Sequence, residues 1–249
     1  MRSLFLLPFL LLICTMTEAQ NFRDKQKNYS RVRAAYAEKE EAMDQLLRDK
    51  GLNPDDFKLY IRAFKQEKEL EVWGKSPGNA QYILLKTYPF CSSSGSLGPK
   101  RQQGDGQIPE GFYHIDRYNP ASNFHLSLGI NYPNTSDRKR VTAGDPGGDI
   151  FIHGNCVTVG CIPITDELIK EVYLLAVEAK TSGNGHIPVS FFPARFGPAT
   201  WAKLKEDYST QPELIRFWEE LRPGYDWFEK HHSLPSITFG STGAYVVGQ

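Results

Sequence analysis

Ile152-His153-Gly154-Asn155-Cys156-Val157-Thr158-Val159-Gly160-Cys161-Ile162-Pro163 joins two different kinds of chain. Before it, Asp149-Ile150-Phe151-Ile152 is an apolar run that reads as a strand. After it, Leu168, Ile169, Val172, Leu175, Ala176 and Ala179 recur at helical spacing, and Gly183 ends the pattern. Thr165 supplies the N-cap, and Asp166 and Glu167 place negative charge in the first turn. Strand, glycine-bearing turn and helix thus put an imidazole and two thiols on one short connection. A base beside a thiol ahead of a helix is one way to build a cysteine nucleophile.

Each residue of the turn has a plainer reading beside the chemical one. Cys161 follows Gly160, which permits a tight turn and close approach of a substrate. The amides of Gly160 and Cys161 are candidates for an oxyanion hole, and the positive end of the following helix favours thiolate over thiol. A free cysteine is equally at home as a small buried hydrophobe, and local chemistry leaves both readings open. His153 is the candidate general base, with the Gly154 carbonyl holding its other ring nitrogen; the alternative is an ordinary strand-end histidine. Cys156 lies mid-turn, where it packs or pairs with Cys91. A metal centre built from His125, His153, Cys156 and Cys161 fits no common zinc spacing, so no metal is expected.

Outward from the turn, the chain reads as short strands separated by loops. Lys58-Leu-Tyr-Ile-Arg-Ala-Phe, Leu70-Glu-Val-Trp and Gln81-Tyr-Ile-Leu-Leu-Lys-Thr-Tyr come first. Cys91 to Gln107 is a Ser/Gly-rich loop. Phe112-Tyr-His-Ile-Asp and Phe124-His-Leu-Ser-Leu-Gly-Ile follow, and residues 131–148 read as a second loop carrying Arg138-Lys139-Arg140. After the helix comes a short strand, Ile187-Pro-Val-Ser-Phe-Phe. The expected fold is mainly β with α: a mixed β-sandwich or barrel with one main helix after the candidate nucleophile and helical additions at both ends.

The expected divisions are 1–19 as a signal peptide, 20–55 as an N-terminal helical segment, 56–192 as the central domain, and 193–249 as a C-terminal extension packing on it. In the N-terminal segment, Val32, Ala35, Tyr36, Ala42, Met43, Leu46 and Leu47 fall near helical spacing, with Gly51 as the stop. The extension reads as two short helices, near Trp201 to Tyr208 and Pro212 to Leu221, then an aromatic stretch and an irregular tail holding a solvated His231-His232 pair. Trp201, Trp218, Tyr225 and Trp227 are expected to pack in a core.

Bulk properties narrow the function classes. Lys and Arg together number 29, as do Asp and Glu, so electrostatics makes no case for nucleic acid as a partner. Arg2, the apolar run Leu4 to Ile13 and the small residues of Thr17-Glu18-Ala19 read as a secretory signal cleaved before Gln20, too short to span a bilayer comfortably. A soluble exported protein follows, periplasmic or secreted, with no stable membrane span after cleavage. Of four cysteines, Cys91, Cys156 and Cys161 remain in the mature chain. An odd number leaves at least one thiol unpaired within the chain.

His153-Gly154, a short turn, and Thr158-Val159-Gly160-Cys161 resemble the signature of L,D-transpeptidases with the YkuD-type catalytic domain, whose second block is Ser/Thr-His-Gly-Cys. Upstream, Gly106-Gln-Ile-Pro-Glu-Gly-Phe-Tyr is similar to that family's Thr-Pro-x-Gly-x-Tyr strand, with Ile108 in place of threonine. The resemblance covers about residues 56 to 192. Val159 stands where many members have a second histidine, and Pro163 where many have Arg or Asn; both features resemble a YafK-like branch. The resemblance implies an exported cysteine acyltransferase acting on peptidoglycan stem peptides at the diaminopimelate carbonyl through a thioester. Cys161 would be the nucleophile, His153 the base, Gly154 the orienting carbonyl and Gly160 an oxyanion amide. Arg195, Thr158 and Arg138 would meet the substrate, Arg195 foremost. No cofactor is implied. The branch also implies a hydrolase alternative, an L,D-endopeptidase, carboxypeptidase or protein–peptidoglycan amidase, with a wall-attached protein as a further partner. A non-catalytic cell-wall binding protein is the alternative of another class.

Overall fold

The structure is a computed structural model that describes residues 22–141 and 144–248. The signal-peptide reading falls on residues outside that range. Eight strands form one mixed sheet in the order β3-β2-β1-β8-β4-β5-β6-β7, curled into a half-barrel. They are β1 (Lys58–Phe64), β2 (Glu69–Lys75), β3 (Ile83–Pro89), β4 (Gly111–Asn119), β5 (Ser127–Ile130), β6 (Phe151–His153), β7 (Ile162–Pro163) and β8 (Pro188–Phe192). Pairing is antiparallel except between β1 and β8 and between β6 and β7. The mixed, sheet-dominated fold expected from the strand pattern is the one observed.

Strand alternation sorts side chains to two faces. One face carries Leu59, Ile61, Ala63, Tyr113, Ile115, Leu128, Ile130, Ile152, Ile162, Val189 and Phe191 into the main core. The helix after the turn covers it. It is preceded here by α1 (Ser30–Asp49) and α2 (Thr135–Arg140), so it is α3 (Asp166–Thr181). Its N-cap is Thr165, whose hydroxyl accepts from the Leu168 amide. α1 packs on α3 through Val32, Ala35, Tyr36, Met43 and Leu47, all buried. Burial of each such side chain contributes roughly 1.5–3 kcal/mol.

The opposite face is treated differently at its two ends. Over β1, β2, β4 and β8 it is covered by α4 (Pro198–Asp207), α5 (Pro212–His231) and a hairpin of β9 (Ser236–Phe239) and β10 (Tyr245–Gly248). Phe64, Phe192 and partly buried Phe112 pack there with Trp201, Trp218, Leu221, Tyr225 and Tyr245. β1 is therefore buried on both faces and reads as an almost continuous apolar run. Neither of these outer clusters contains a residue of β6 or β7, so the outer face of those strands is left uncovered by the extension.

Three readings of the connecting segments change. α5 runs unbroken to His231 through Pro223, where the sequence suggested a stop at Leu221. Burial of Trp218, Leu221, Tyr225 and Phe228 along one side holds the helix together across the proline. The tail beyond it forms the β9–β10 hairpin rather than irregular chain. Residues 135–140, read as loop, form α2, nucleated by a capping box between Asn134 and Asp137.

Candidate active site

β6 and β7 run parallel with Ile152 opposite Ile162 and His153 opposite Pro163. Ile152 and Ile162 both face the core. By alternation, Phe151, His153 and Cys161 face the other way, with Cys161 beside Phe151 and one step diagonal from His153. The two chemical groups that the sequence singled out therefore share the sheet face that the C-terminal extension leaves clear. His153 is buried, 1% exposed. Its Nδ1 lies 2.5 Å from the Gly154 carbonyl. A carbonyl only accepts, so Nδ1 carries the proton and Nε2 the lone pair. Phe124 lies against the ring, centroid to centroid 4.7 Å, and limits its rotation. Among the described residues Nε2 makes no hydrogen bond.

The turn between them is laced by side chains. The Asn155 amide, at φ +62°, donates to Asp166 of α3 at 2.7 Å. Thr158 Oγ1 accepts from the Cys161 amide and donates to the Cys161 carbonyl, both at 2.8 Å. Gly160 sits at φ +102°, and a Cβ there would lie 2.8 Å from the Gln107 carbonyl oxygen, so the position requires glycine. Its amide donates to Ser94 Oγ at 2.7 Å, and Ser94 donates in turn to the Gly106 carbonyl. Cys91 and Cys156 form a disulfide, and the Cys91 amide donates to the Pro163 carbonyl. The Ser/Gly-rich loop after β3 is thus fastened to the turn at three points. Disulfide bonding of Cys156 takes one thiolate out of the four-residue metal set considered above.

Electrostatics sets the resting protonation state. Burial pushes the Cys161 thiol above its ordinary value; Asp149 adds to this, while a Phe151 backbone bond and Lys100 oppose it. Cys161 Sγ donates to the Asp149 carbonyl at 3.6 Å. Burial pushes His153 below its ordinary value, and the Gly154 bond only partly restores it. Both groups are neutral near pH 7. This corrects the expectation that the α3 dipole would favour a resting thiolate. The first turn of α3 carries Asp166 and Glu167, and desolvation is the largest influence on the thiol. A neutral pair needs the base at the moment of attack.

The sequence profile of the L,D-transpeptidase catalytic domain, YkuD, matches residues 60–189. The Escherichia coli (strain K12) protein YafK, named among the L,D-transpeptidases, is 37% identical over 193 residues, which span 77% of this chain and 74% of that protein. The chain belongs to the L,D-transpeptidase family. Among solved structures it is similar to the helical cell shape determining protein Pgp2 of Campylobacter jejuni, with 20% identity, coverage of 75% of this chain and 74% of that one, and a TM-score of 0.45. It is also similar to L,D-transpeptidase 1 of Mycobacterium tuberculosis, with 17% identity, coverage of 54% and 62%, and a TM-score of 0.31.

In this L,D-transpeptidase-family chain the remaining candidates are placed as follows. Arg195 is not a free cation. Its two terminal nitrogens bond Glu71 and Glu69, each at 2.6 Å, and its guanidinium lies 4.2 Å from the Phe64 ring centre. It ties the chain after β8 to β2, which corrects its placement as the first substrate contact. The Thr158 hydroxyl is spent on both main-chain groups of Cys161, so it braces the turn. The amides of Gly160 and Cys161, expected as open oxyanion donors, both have hydroxyl partners here. Arg138 is exposed and makes no ion pair among the described residues, but the groove it lines does not include His153 or Cys161. Val159 is 77% exposed at the tip of the turn, whereas Pro163 is buried in β7.

Sequence reasoning missed Ser94, Phe124 and the bracing role of Asp166. It also missed Glu110, fully buried in the Pro109-Glu110-Gly111 segment. Glu110 accepts from the Gly98 amide and Trp218 Nε1 and pairs with Lys65 at 3.0 Å. One carboxylate thereby fixes the loop after β3, β1 and the C-terminal extension together. Its glycine and proline neighbours carried a signal; Ser94, in a run of serines, carried none.

Proposed function

We propose that this chain is an exported cysteine enzyme acting on peptidoglycan stem peptides at the diaminopimelate carbonyl through a thioester. One observation carries the reading. His153 spends Nδ1 on the Gly154 carbonyl and keeps Nε2 in reserve, on the same sheet face as the unpaired Cys161. Sγ attacks the carbonyl carbon and passes its proton to Nε2. The oxyanion is held when the Gly160 and Cys161 amides exchange their hydroxyl partners for it. The carbon–nitrogen bond then breaks, and His153 returns the proton to the departing amine. An incoming amine resolves the thioester into a crosslink; water resolves it into a shortened stem. The chain's own residues supply every group these steps need, and the reading invokes no cofactor. The Cys91–Cys156 disulfide supports export, because such bonds persist in oxidising compartments. No helix of the described residues is long and apolar enough to cross a membrane.

Mass analysis of purified muropeptides after incubation tests this directly. The wild-type chain is expected to give crosslinked or trimmed products, and the pattern distinguishes transfer from hydrolysis. Cys161→Ala is expected to abolish both, a loss of at least about 10³-fold as for removal of a covalent nucleophile. Full turnover by Cys161→Ala would end the assignment.

A further inference from the structure

A groove of about 550 Å³ lies on the outer face of the sheet, against the C-terminal extension. Strand β4 and the C-terminal hairpin both contribute to its lining. Phe112, His114 and Asp116 are alternate residues of β4. From the C-terminal hairpin, Ile237 and Phe239 are alternate residues of β9, and Pro235 stands just before that strand. The β4 set lies along one face of that strand, over about 13 Å at the strand rise of about 3.3 Å per residue. That length suits about four residues of extended chain, and the volume lies within the range of ligand sites, about 300–1,000 Å³. Phe239 remains 37% exposed and Phe112 half-buried, so the slot keeps apolar surface open to a ligand. At its rim stands Arg138, exposed and without a carboxylate partner among the described residues. The other basic residues of α2 are engaged: Arg140 pairs with Glu220, and Lys139 donates to the Gly240 carbonyl.

The groove and the thiol share a face. Phe112, His114 and Asp116 alternate with core residues Tyr113 and Ile115, as Phe151 and His153 alternate with Ile152. A charged ridge links them. Cys161 bonds the Asp149 carbonyl, the Asp149 carboxylate pairs with Arg117 at 2.8 Å, and Arg117 lies over Phe151 and pairs with Asp116 at the groove. A polymer lying on this face meets both places.

We propose that this groove is a second peptide-binding site, remote from Cys161, which takes an extended stem-type peptide of about four residues with a free carboxylate held by Arg138. It deepens the function proposed above, which supplies the identity of the peptide. The site retains the enzyme on one stem while Cys161 acts on another. Opposite charge and an open guanidinium fork fit a carboxylate, and the row of alternate β4 side chains offers contacts along an extended chain.

The test is calorimetric titration of a disaccharide tetrapeptide into full-length Cys161→Ala protein. Binding is expected, with at least tenfold loss in Arg138→Glu and in Phe239→Asp. Amidating the peptide's carboxylates, or removing the peptide from the sugar, is expected to abolish it. Unchanged affinity in both groove variants, equal binding of the amidated peptide, or binding of the bare sugar would each overturn the proposal. Binding only of a peptide that copies a protein C-terminus would overturn it as well. Iodoacetamide alkylation of Cys161 in the Arg138→Glu and Phe239→Asp chains is expected within twofold of the parent rate, showing that the turn is intact. No peptide binding by the Cys161→Ala protein, with wall turnover seen in the wild-type chain, would sink this inference alone, and binding without any wild-type turnover would sink only the catalytic reading.

Discussion

Two polar regions of this molecule differ in what they have left to offer. Around Arg62, Glu71 holds Arg62, Trp73 and Arg195, Glu69 holds the other arm of Arg195, and Glu229 pairs with Arg62 at 2.6 Å. Burial pushes the Glu71 carboxyl up, but these partners outweigh it and hold it below its ordinary value. Trp73 and Phe228 close over the Arg62 guanidinium. Charge there is dense and fully engaged. The turn from Gly154 to Cys161 also commits the amides at both of its ends, those of Gly154, Asn155, Cys156, Gly160 and Cys161, yet it and His153 before it leave one imidazole nitrogen and one thiol without a strong partner. Reactivity is marked by that unspent valence, held rigidly, and not by the density of charge.

The sharpest break in this comparison is His153→Ala. Removal of a general base is expected to lower kcat/KM by about 10²- to 10⁴-fold, while a change inside the Arg62 cluster alters stability. The wild-type pH profile adds a signed check. Because burial lowers the His153 pKa, the acid limb of kcat/KM should fall below the ordinary ~6.5 of a histidine. Because burial raises the Cys161 pKa, iodoacetamide alkylation should accelerate only above the ordinary ~8.5 of a thiol. A fast alkylation plateau at neutral pH would instead show a resting thiolate. Next in size is the brace. Replacing Cys91 and Cys156 together by alanine opens a loop of 65 residues and is expected to cost about 4 kcal/mol of stability, read by urea unfolding. Cys161 stays in place, so measurable turnover should survive under conditions where the chain is folded.

How much of this was legible in sequence follows from the range of the interactions. The strand before His153, the helix after Thr165 and the odd thiol rest on local spacing, and local spacing is what a sequence displays. The polarity of the site was also legible, since alternation places His153 and Cys161 together once β6 and β7 pair. What was hidden is long-range. Arg195 was assigned to substrate, and its bonds to Glu71 and Glu69 cross 124 and 126 residues; Thr158 is the local exception, since its partner Cys161 stands three residues on and only the shape of the turn brings them together. Pro223-Gly224 reads as a helix stop, but Gly224 is where α5 makes room for a ring of the sheet: a Cβ there would lie 2.5 Å from Phe112. Ser94 reaches Gly160 across 66 residues, and nothing in a run of serines marks the one that does so.

Thr158→Val tests the brace at a single atom. It keeps the shape of the side chain and removes both bonds to Cys161, leaving the amide unpartnered at a cost of about 1–3 kcal/mol. A fall of about ten- to a hundredfold in kcat with little change in KM is expected, because the turn loosens while the groove is untouched. A rise in KM alone would return Thr158 to substrate contact.

The smallest effect on activity should come from Arg195→Ala, and it decides whether the two regions are separate at all. Its guanidinium is one-third exposed and bonds two carboxylates. Removal leaves Glu71 with Arg62 and Trp73, so the loss is expected to be about 1–3 kcal/mol, seen as a lower Tm. Nothing on that path touches β6 or β7, so kcat/KM should stay within twofold at a temperature where the variant is folded. If instead kcat/KM fell tenfold with Tm unchanged, Arg195 would have to leave Glu69 and Glu71 to meet the substrate. The engaged cluster would then be a reserve of charge for the site rather than a tie between strands.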